Sequence, residues 1–278
     1  MKFVIFSPGG NCDQYVANNI LSVASQTYKN FTHIVVDDAT TDNTSQIINN
    51  LKYDNLLVYR NKNNLGWLGN AVKYLDEHVT DDCIVLSLDL DDWLAHNRVL
   101  EYIKNIYEET QAWITYGSLV TCHGNCKYEW EPNHKYDDNV WKDRHFRGRL
   151  NYFSHLRTFR GFLWNKINKN DLKFHGQFGK FSSDVAYSLP ILDMTPSHRV
   201  VHLNDPLYFY NFINPRNDSK INAMEQRRQG DYFRGLPQYQ QLEDNLEKHI
   251  IKTEKPKKKE KQFKEEIKGD PHASRIRI

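Results

Sequence analysis

Apolar and polar positions alternate in short blocks through the first 120 residues. Phe3 to Phe6 is an apolar run closed by Ser7-Pro8-Gly9-Gly10, which predicts a central strand and a turn. Tyr15, Ile20, Leu21 and Ala24 then fall along one side of a helix running to about Gln26, with Asn11 or Asp13 as its cap. Phe31 to Val36 predicts a second strand, ending in Asp37-Asp38-Ala39-Thr40. Asp42 caps a helix with Ile47, Ile48 and Leu51 inward, and Leu56 to Tyr59 is a third strand. Asn63-Asn64-Leu65-Gly66 breaks the chain before a helix from about Leu68 to His78. Val99, Leu100, Ile103 and Ile106 recur at helical spacing, and Ala112 to Val120 is another strand. This alternation predicts an α/β fold, a mostly parallel central sheet with helices on both faces.

The chain is organised around Ile84 to Trp93, where an apolar run ends abruptly in Asp89, Asp91 and Asp92. Carboxylates crowded at a buried strand end are unfavourable unless a cation compensates them. Ligands in open α/β sheets sit beyond the carboxyl ends of strands. Asp89-Leu90-Asp91 therefore reads as the floor of a site for a metal and the phosphates it bridges. The alternative is a strand-to-helix turn, with Asp91 or Asp92 capping a helix that begins near Ala95. Ser7-Pro8 and Asp38 lie at other strand ends and converge on the same region. Asp38 can accept hydrogen bonds from a base or a ribose, and Ser7 to Gly10 let a ligand approach the backbone. The first strand is followed by neither a Gly-rich dinucleotide fingerprint nor a P-loop lysine, which disfavours NAD enzymes and P-loop ATPases.

Composition narrows the class. The 278 residues, 39% hydrophobic, suffice for one large α/β domain with additions. A net charge of +2 gives no whole-chain argument for nucleic acid or membrane. No apolar run reaches membrane-spanning length, and Met1 to Pro8 reads as a strand rather than a signal peptide. Four cysteines in so long a chain do not make a disulfide framework, so a cytoplasmic, reducing location is expected.

The first hundred residues resemble a glycosyltransferase family 2 enzyme of the GT-A fold. The resemblance is carried by Asn18 to Val23 with Gln26-Thr27-Tyr28, Val36 to Thr44, Asn64-Leu65-Gly66 with Asn70-Ala71, and Leu88 to Asp92. Ala39-Thr40 departs mildly from the family pattern after its Asp-Asp pair, and Gly69-Asn70-Ala71 has no arginine. His155 to Arg160, Asp171 to Lys173, Ser183 to Ala186, Leu189 to Met194 and Leu207 to Asn211 with Asn214-Pro215 and Asn217-Asp218 follow the order of one branch of that family. The resemblance implies a UDP- or GDP-linked sugar donor, a Mn²⁺ or Mg²⁺ ion and a glycan-type acceptor. It implies Asp91 and Asp89 on the metal, with His202 as a late third ligand, and inversion with Asp184 as general base. Ser7, Pro8, Asp38, Asn64, Gly66, Asp89 and Arg157 are the donor-binding candidates. From the residues alone, Asp184 can equally be the N-cap of a helix with Val185, Leu189 and Leu192 inward. Arg157 and Arg160 can hold phosphate or pair with surface carboxylates, and His202 can be structural.

The rest is less specific. Cys122 to Cys126, with His134 or His145, offers at most half a zinc site, and a hairpin turn at Gly124-Asn125 accounts for it better. Residues 128–152 read as a loop region over the site, and Trp130, Trp141 and Trp164 can stack on a sugar or pack in the core. The expected division is a transferase domain over 1–220 (donor half 1–120, acceptor half 121–220), a helical extension over 221–250 and a charged, disordered tail over 251–278. The lysine-rich tail leaves a weak route to nucleic acid or anionic membrane, offset by its glutamates. Rival readings are a sugar transferase acting on a DNA base, a phosphotransferase of the haloacid dehalogenase type, disfavoured by Trp93 after Asp-x-Asp, and an inactive nucleotide-binding module.

Overall fold

The structure, a computed structural model, describes residues 1–117, 119–122, 128–131, 134–148 and 153–250. The strands β1 (Phe3–Gly9), β2 (Phe31–Asp38), β3 (Leu56–Asn61) and β4 (Ile84–Ser87) are separated by α1 (Val16–Ala24), α2 (Thr44–Asn50) and α3 (Gly66–Asn70). There follow β5 (Trp93–Leu94), α4 (Val99–Thr110), β6 (Ile114–Gly117), β7 (Leu119–Cys122), β8 (Tyr128–Glu131), α5 (Asp138–Asp143) and β9 (Arg157–Arg160). The remaining elements are α6 (Gly161–Lys166), β10 (Lys173–Phe174), β11 (Gln177–Phe178), α7 (Ser183–Met194), β12 (Val200–Leu203), β13 (Tyr208–Tyr210), α8 (Asp218–Ile221), α9 (Ala223–Arg234) and α10 (Leu246–His249).

Seven strands form the central sheet in the order β12-β6-β9-β4-β1-β2-β3, and β9 alone among them runs antiparallel to its neighbours. A smaller sheet has the order β5-β13-β7-β8. Both faces of the central sheet are covered, as its continuous apolar runs require. Phe3 and Ile5 of β1 pack with Ile84, Leu86, Leu100 and Ile103 on one face. Val4 and Phe6 pack with Ile34, Val85, Leu68 and Phe159 on the other.

Local expectations fail where tertiary contacts take over the backbone. Neither Asn11 nor Asp13 caps α1; their N–H groups donate to Thr40 Oγ1 at 2.6 Å and Asp42 Oδ2 at 3.3 Å. Leu21 is exposed, and the buried line of α1 is Val16, Asn19, Ile20 and Val23. The strand expected from Ala112 to Val120 divides into β6 and β7, which belong to different sheets. The described part of the region expected to cover the site, 134–148, instead buries Tyr136, Val140 and Phe146 in the core, where the Tyr136 and Phe146 rings pack edgewise on each other and on Trp141. β7 and β8 pair antiparallel as a hairpin needs, but the Gly124-Asn125 turn and the side chains of Cys122, Cys126 and Trp130 lie outside the described residues. So does the charged tail. The helical segment expected over 225–250, with its interruption near Gly235-Leu236-Pro237, is α9 ending at Arg234; the chain then continues as a strap with α10 near its end, and Leu236, Tyr239, Leu242, Leu246 and Ile250 pack on the core. No helix among the described residues is long and apolar enough to cross a membrane.

His33 of β2 is buried, with Nε2 2.9 Å from Ser7 Oγ and Nδ1 2.6 Å from the Tyr53 hydroxyl. Burial pushes its pKa down to about 3. The fold holds it neutral, whereas the unfolded chain takes a proton near pH 6.5. Stability from this residue is therefore present above pH 6.5 and falls as pH drops toward 3, by roughly 1.4 kcal/mol per pH unit. Urea denaturation of His33→Gln should lose less stability than wild type between pH 6 and pH 4; parallel curves would show that His33 titrates freely in the fold.

Candidate active site

A cleft of about 600 Å³ opens where β1, β2 and β4 end, lined by Pro8, Gly9, Gly10, Asp38 and Asp89 to Asp92. The acidic turn after β4 is fixed from two directions. From α1, the buried Asn19 amide donates to the carbonyls of Asp89 and Asp92, each at 2.9 Å. From β13, the Tyr208 hydroxyl donates to Asp92 Oδ2 at 2.6 Å, and it accepts from the Asp89 N–H at 3.3 Å. The Asn211 N–H donates to Asp92 Oδ1 at 2.7 Å, and Asn214 Nδ2 donates to Asp91 Oδ2 at 2.6 Å. Neither Asp91 nor Asp92 caps a helix: β5 follows, and α4 begins only at Val99. Burial, then Asp91 and Asp89, push the Asp92 carboxyl well above the usual carboxylate range.

Asp38 holds the opposite wall. Its carboxylate accepts from the N–H groups of Leu65 at 2.9 Å and Gly66 at 2.9 Å, and from Asn61 Nδ2 at 2.8 Å. It thereby fixes the turn that starts α3. Gly66 has φ +68°, and a Cβ there would lie 3.0 Å from Lys180 Cα, so both conformation and space call for glycine. Asn64 and Gly66 line the cleft. Asp38 was expected to bind the ligand; three donor groups of the protein bond its carboxylate.

Arg157 enters from β9, where it pairs with Ser87 at the end of β4. It is buried, and it donates to the Tyr187 hydroxyl at 3.1 Å and to His155 Nε2 at 2.9 Å. Burial opposes its charge, but Tyr187, Asp184 and Asp89 outweigh burial and raise its pKa. By accepting from a guanidinium, His155 Nε2 must be unprotonated, and burial and Arg157 lower the His155 pKa well below its ordinary value. The imidazole stacks on Tyr208 at 4.5 Å. One ligand atom from each of Asp89, Asp92 and His155 lies within 4.8 Å of the other two. Asp184 completes the far wall. The N-cap of α7 is Ser182, and Asp184 sits in the first turn facing the same cleft.

The structure thus brings together Pro8, Asp38, Asn64, Gly66, Asp89, Asp91, Arg157 and Asp184. It does not bring in Ser7, whose hydroxyl turns to His33 inside the sheet. Nor does it bring in His202, on the edge strand β12, edgewise against Tyr116 at 5.0 Å. Two strands separate β12 from β4, so His202 cannot reach the acidic turn; the imidazole among those carboxylates is His155. Arg160, an odd number of positions from Arg157, points to the other sheet face, where it donates to the Ala112 carbonyl at 2.7 Å. Trp164 is fully buried and Trp141 packs on the core. Reading from sequence missed Asp92, His155, Tyr208, Asn211 and Asn214. The signals were present in a third adjacent carboxylate, a histidine two residues before Arg157, and amide residues just past a strand end.

Residues 6–184 match the model of the family described as Glycosyl transferase family 2. The chain belongs to this family. It is 24% identical over 218 residues to "Glycosyltransferase GlyA" of Streptococcus pneumoniae, covering 75% of this chain and 30% of that protein. It is 28% identical over 120 residues to an uncharacterized glycosyltransferase of Haemophilus influenzae, covering 42% of this chain and 47% of that one. The chain therefore spans less than half the length of either curated relative. Among solved structures, Staphylococcus aureus TarS (residues 1–349, in complex with UDP-GlcNAc) superposes with TM-score 0.56 at 20% identity, covering 76% of this chain and 58% of that one. The mannosyltransferase PcManGT of Pyrobaculum calidifontis, in complex with GDP-Man and Mn²⁺, gives 0.51 at 15% identity, covering 75% and 56%. These likenesses share the fold. The family 2 match ends at Asp184, so Tyr208, Asn211 and Asn214, which hold the acidic turn, lie beyond it.

Replacing Asp38 removes the acceptor of the half-buried N–H donors at Leu65 and Gly66. Asp38→Ala should lower unfolding free energy by about 1–3 kcal/mol in urea melts. Unchanged stability would mean that the 61–66 turn does not depend on this carboxylate.

Proposed function

We propose that this family 2 domain transfers a sugar, with inversion, from a UDP- or GDP-linked donor to a hydroxyl of a glycan-type acceptor, assisted by a divalent cation. The observation that carries the reading is the meeting of Asp38, Asp89, Asp91, Arg157 and Asp184, distant in sequence, in one cleft at the strand ends. Family membership and the nucleotide-sugar complexes of TarS and PcManGT support the donor class.

The residues present fit a cation. Asp89, Asp91 and Asp92 put three carboxylates on one turn, His155 adds a neutral imidazole, and burial, then the charges of Asp91 and Asp89, raise the Asp92 pKa. Hard oxygen donors with one imidazole suit Mn²⁺ or Mg²⁺. Asp91 and Asp89, with His155 and Asp92 behind them, would hold it. Such an ion neutralises charge that grows on a departing diphosphate.

The chain's own groups do the rest. Arg157, kept charged by Asp184, Asp89 and Tyr187, presents a fixed cation to the phosphates. Asn64 and the Gly66 turn, held by Asp38, form the donor wall. Among the described lining residues, Asp184 is the one carboxylate not placed at a strand end. It faces the strand-end group across the cleft, where it can take the proton of an acceptor hydroxyl. A single base and direct displacement invert the anomeric centre.

A thermal-shift series with UDP and GDP, with and without Mn²⁺, tests the donor half of this reading. At a hundredfold excess over Kd, a native-state ligand stabilises by about 2.7 kcal/mol. We expect a Mn²⁺-dependent shift that Asp91→Ala abolishes; no shift with either nucleotide favours an inactive module. Asp184→Asn should keep that shift and lower transfer about 10²- to 10⁴-fold. Normal transfer by Asp184→Asn would refute the base assignment.

A further inference from the structure

Asp184 follows a short loop, 179–182, that joins β11 to α7 and carries Lys180, Phe181 and Ser182 into the cleft. This loop is gripped from both sides. On one side is the Gly66 turn, 3.0 Å from Lys180 Cα by its ideal Cβ and tied down by Asp38. On the other is α9, which lies beyond the matched family region. Gln229 of α9 is buried; its Oε1 accepts from the Phe181 N–H at 3.1 Å, and its Nε2 donates to Glu225 Oε1 at 2.9 Å. The Ser182 hydroxyl donates to the Gln226 carbonyl at 2.6 Å. A Cβ on Gly179 would lie 2.8 Å from the Phe233 ring, and one on Gly230 would lie 3.1 Å from Ser182 Oγ. The loop and α9 therefore touch at glycines.

The grip matters because Ser182 is left-handed, at φ +53° and ψ +36°, although it is not glycine. That conformation is disfavoured for a residue with a side chain and persists only where surroundings impose it. Its carbonyl accepts from the N–H groups of Val185 at 3.1 Å and Ala186 at 3.0 Å, so Ser182 sets the direction in which α7 starts. Asp184 lies between them.

We infer that α9 is a positioning element for Asp184, acting through Gln229, which holds the left-handed turn that aims the carboxylate into the cleft. Gln229 touches neither donor nor acceptor in this role; it is a positioning residue. The inference rests on the reading of Asp184 as general base. It makes the segment after the matched domain part of the catalytic unit.

The experiment compares the full chain with Gln229→Ala and with the exchanged pair Glu225→Gln/Gln229→Glu. The exchanged pair offers the Phe181 N–H a carboxylate oxygen in place of the amide oxygen and restores the amide–carboxylate hydrogen bond with its direction reversed. Gln229→Ala should lower kcat about ten- to a hundredfold, as a misplaced catalytic group does. The donor KM and the nucleotide thermal shift should stay within about threefold of wild type, since only the transition-state contact changes. Hydrogen exchange at residues 181–186 should quicken in Gln229→Ala, and the exchanged pair should recover both kcat and protection. Wild-type kcat and exchange in Gln229→Ala would overturn the inference. Equal loss of donor binding and kcat without recovery in the exchanged pair would also overturn it, since that is a general structural defect. If wild-type protein binds nucleotide but transfers to no acceptor, the transferase reading fails instead, and exchange at 181–186 decides alone whether α9 holds the loop.

Discussion

Three carboxylates at the end of one buried strand are the constraint to which the rest of the molecule answers. Asp92 is almost wholly enclosed, and its neighbours Asp89 and Asp91 oppose its ionisation. Such a turn keeps its shape only if polar partners meet it on every side. They come from elements far apart in sequence: Asn19 from α1, Tyr208 from β13, and Asn211 and Asn214 from the loop beyond. This explains a polar residue on the buried line of α1. It also explains why β13 lies in a small sheet with β5, directly after the acidic turn.

A second carboxylate works by another route. Asp38 is surrounded by donors of its own chain and shapes the cleft through the Gly66 turn. The walls of the cleft thus form a chain of contacts from Asp38 through Gly66 and Lys180 to the loop before α7. Residues chosen for ligand chemistry by type alone turn out to be partly masonry. The reverse holds for His155, whose neutral ring sits between a guanidinium and an aromatic face inside the acidic centre.

Five strands of the central sheet, β1 to β4 and β6, were legible because they are apolar runs closed by polar residues; β9, Arg-Thr-Phe-Arg, carries no such run and was not. The place of Asp89 and Asp91 at a strand end was legible for the same reason, whereas Arg157 and Asp184, which line the same cleft, were singled out only by the order of the family's motifs. What escaped was set by contacts with no local signature. Asn11 and Asp13 look like helix caps, but their backbone is tied to the loop after β2. Ser7 ends a strand, yet the alternation of side chains turns it to His33. His202 and His155 are each lone histidines near aromatics, and strand order, which spacing does not encode, separates them. The polar composition of α9 looked like an extension, although Gln229 and Phe233 are buried.

The strap after α9 closes the molecule late. Arg147 joins the buried Asp193 to the Phe233 carbonyl, Leu242 donates its N–H to the Met194 carbonyl, and His249 stacks on Phe162 and meets Trp113 edge-on. Trp113 and Phe162 flank the middle of the chain, whereas their cover is synthesised more than eighty residues later. By residue 117 the chain holds β1 to β4 and β6 but neither β9, which joins β4 to β6, nor the cover of Trp113. The interior is complete only when the strap to residue 250 is in place, so the last covering contacts of Trp113 and Phe162 are also the last to be synthesised.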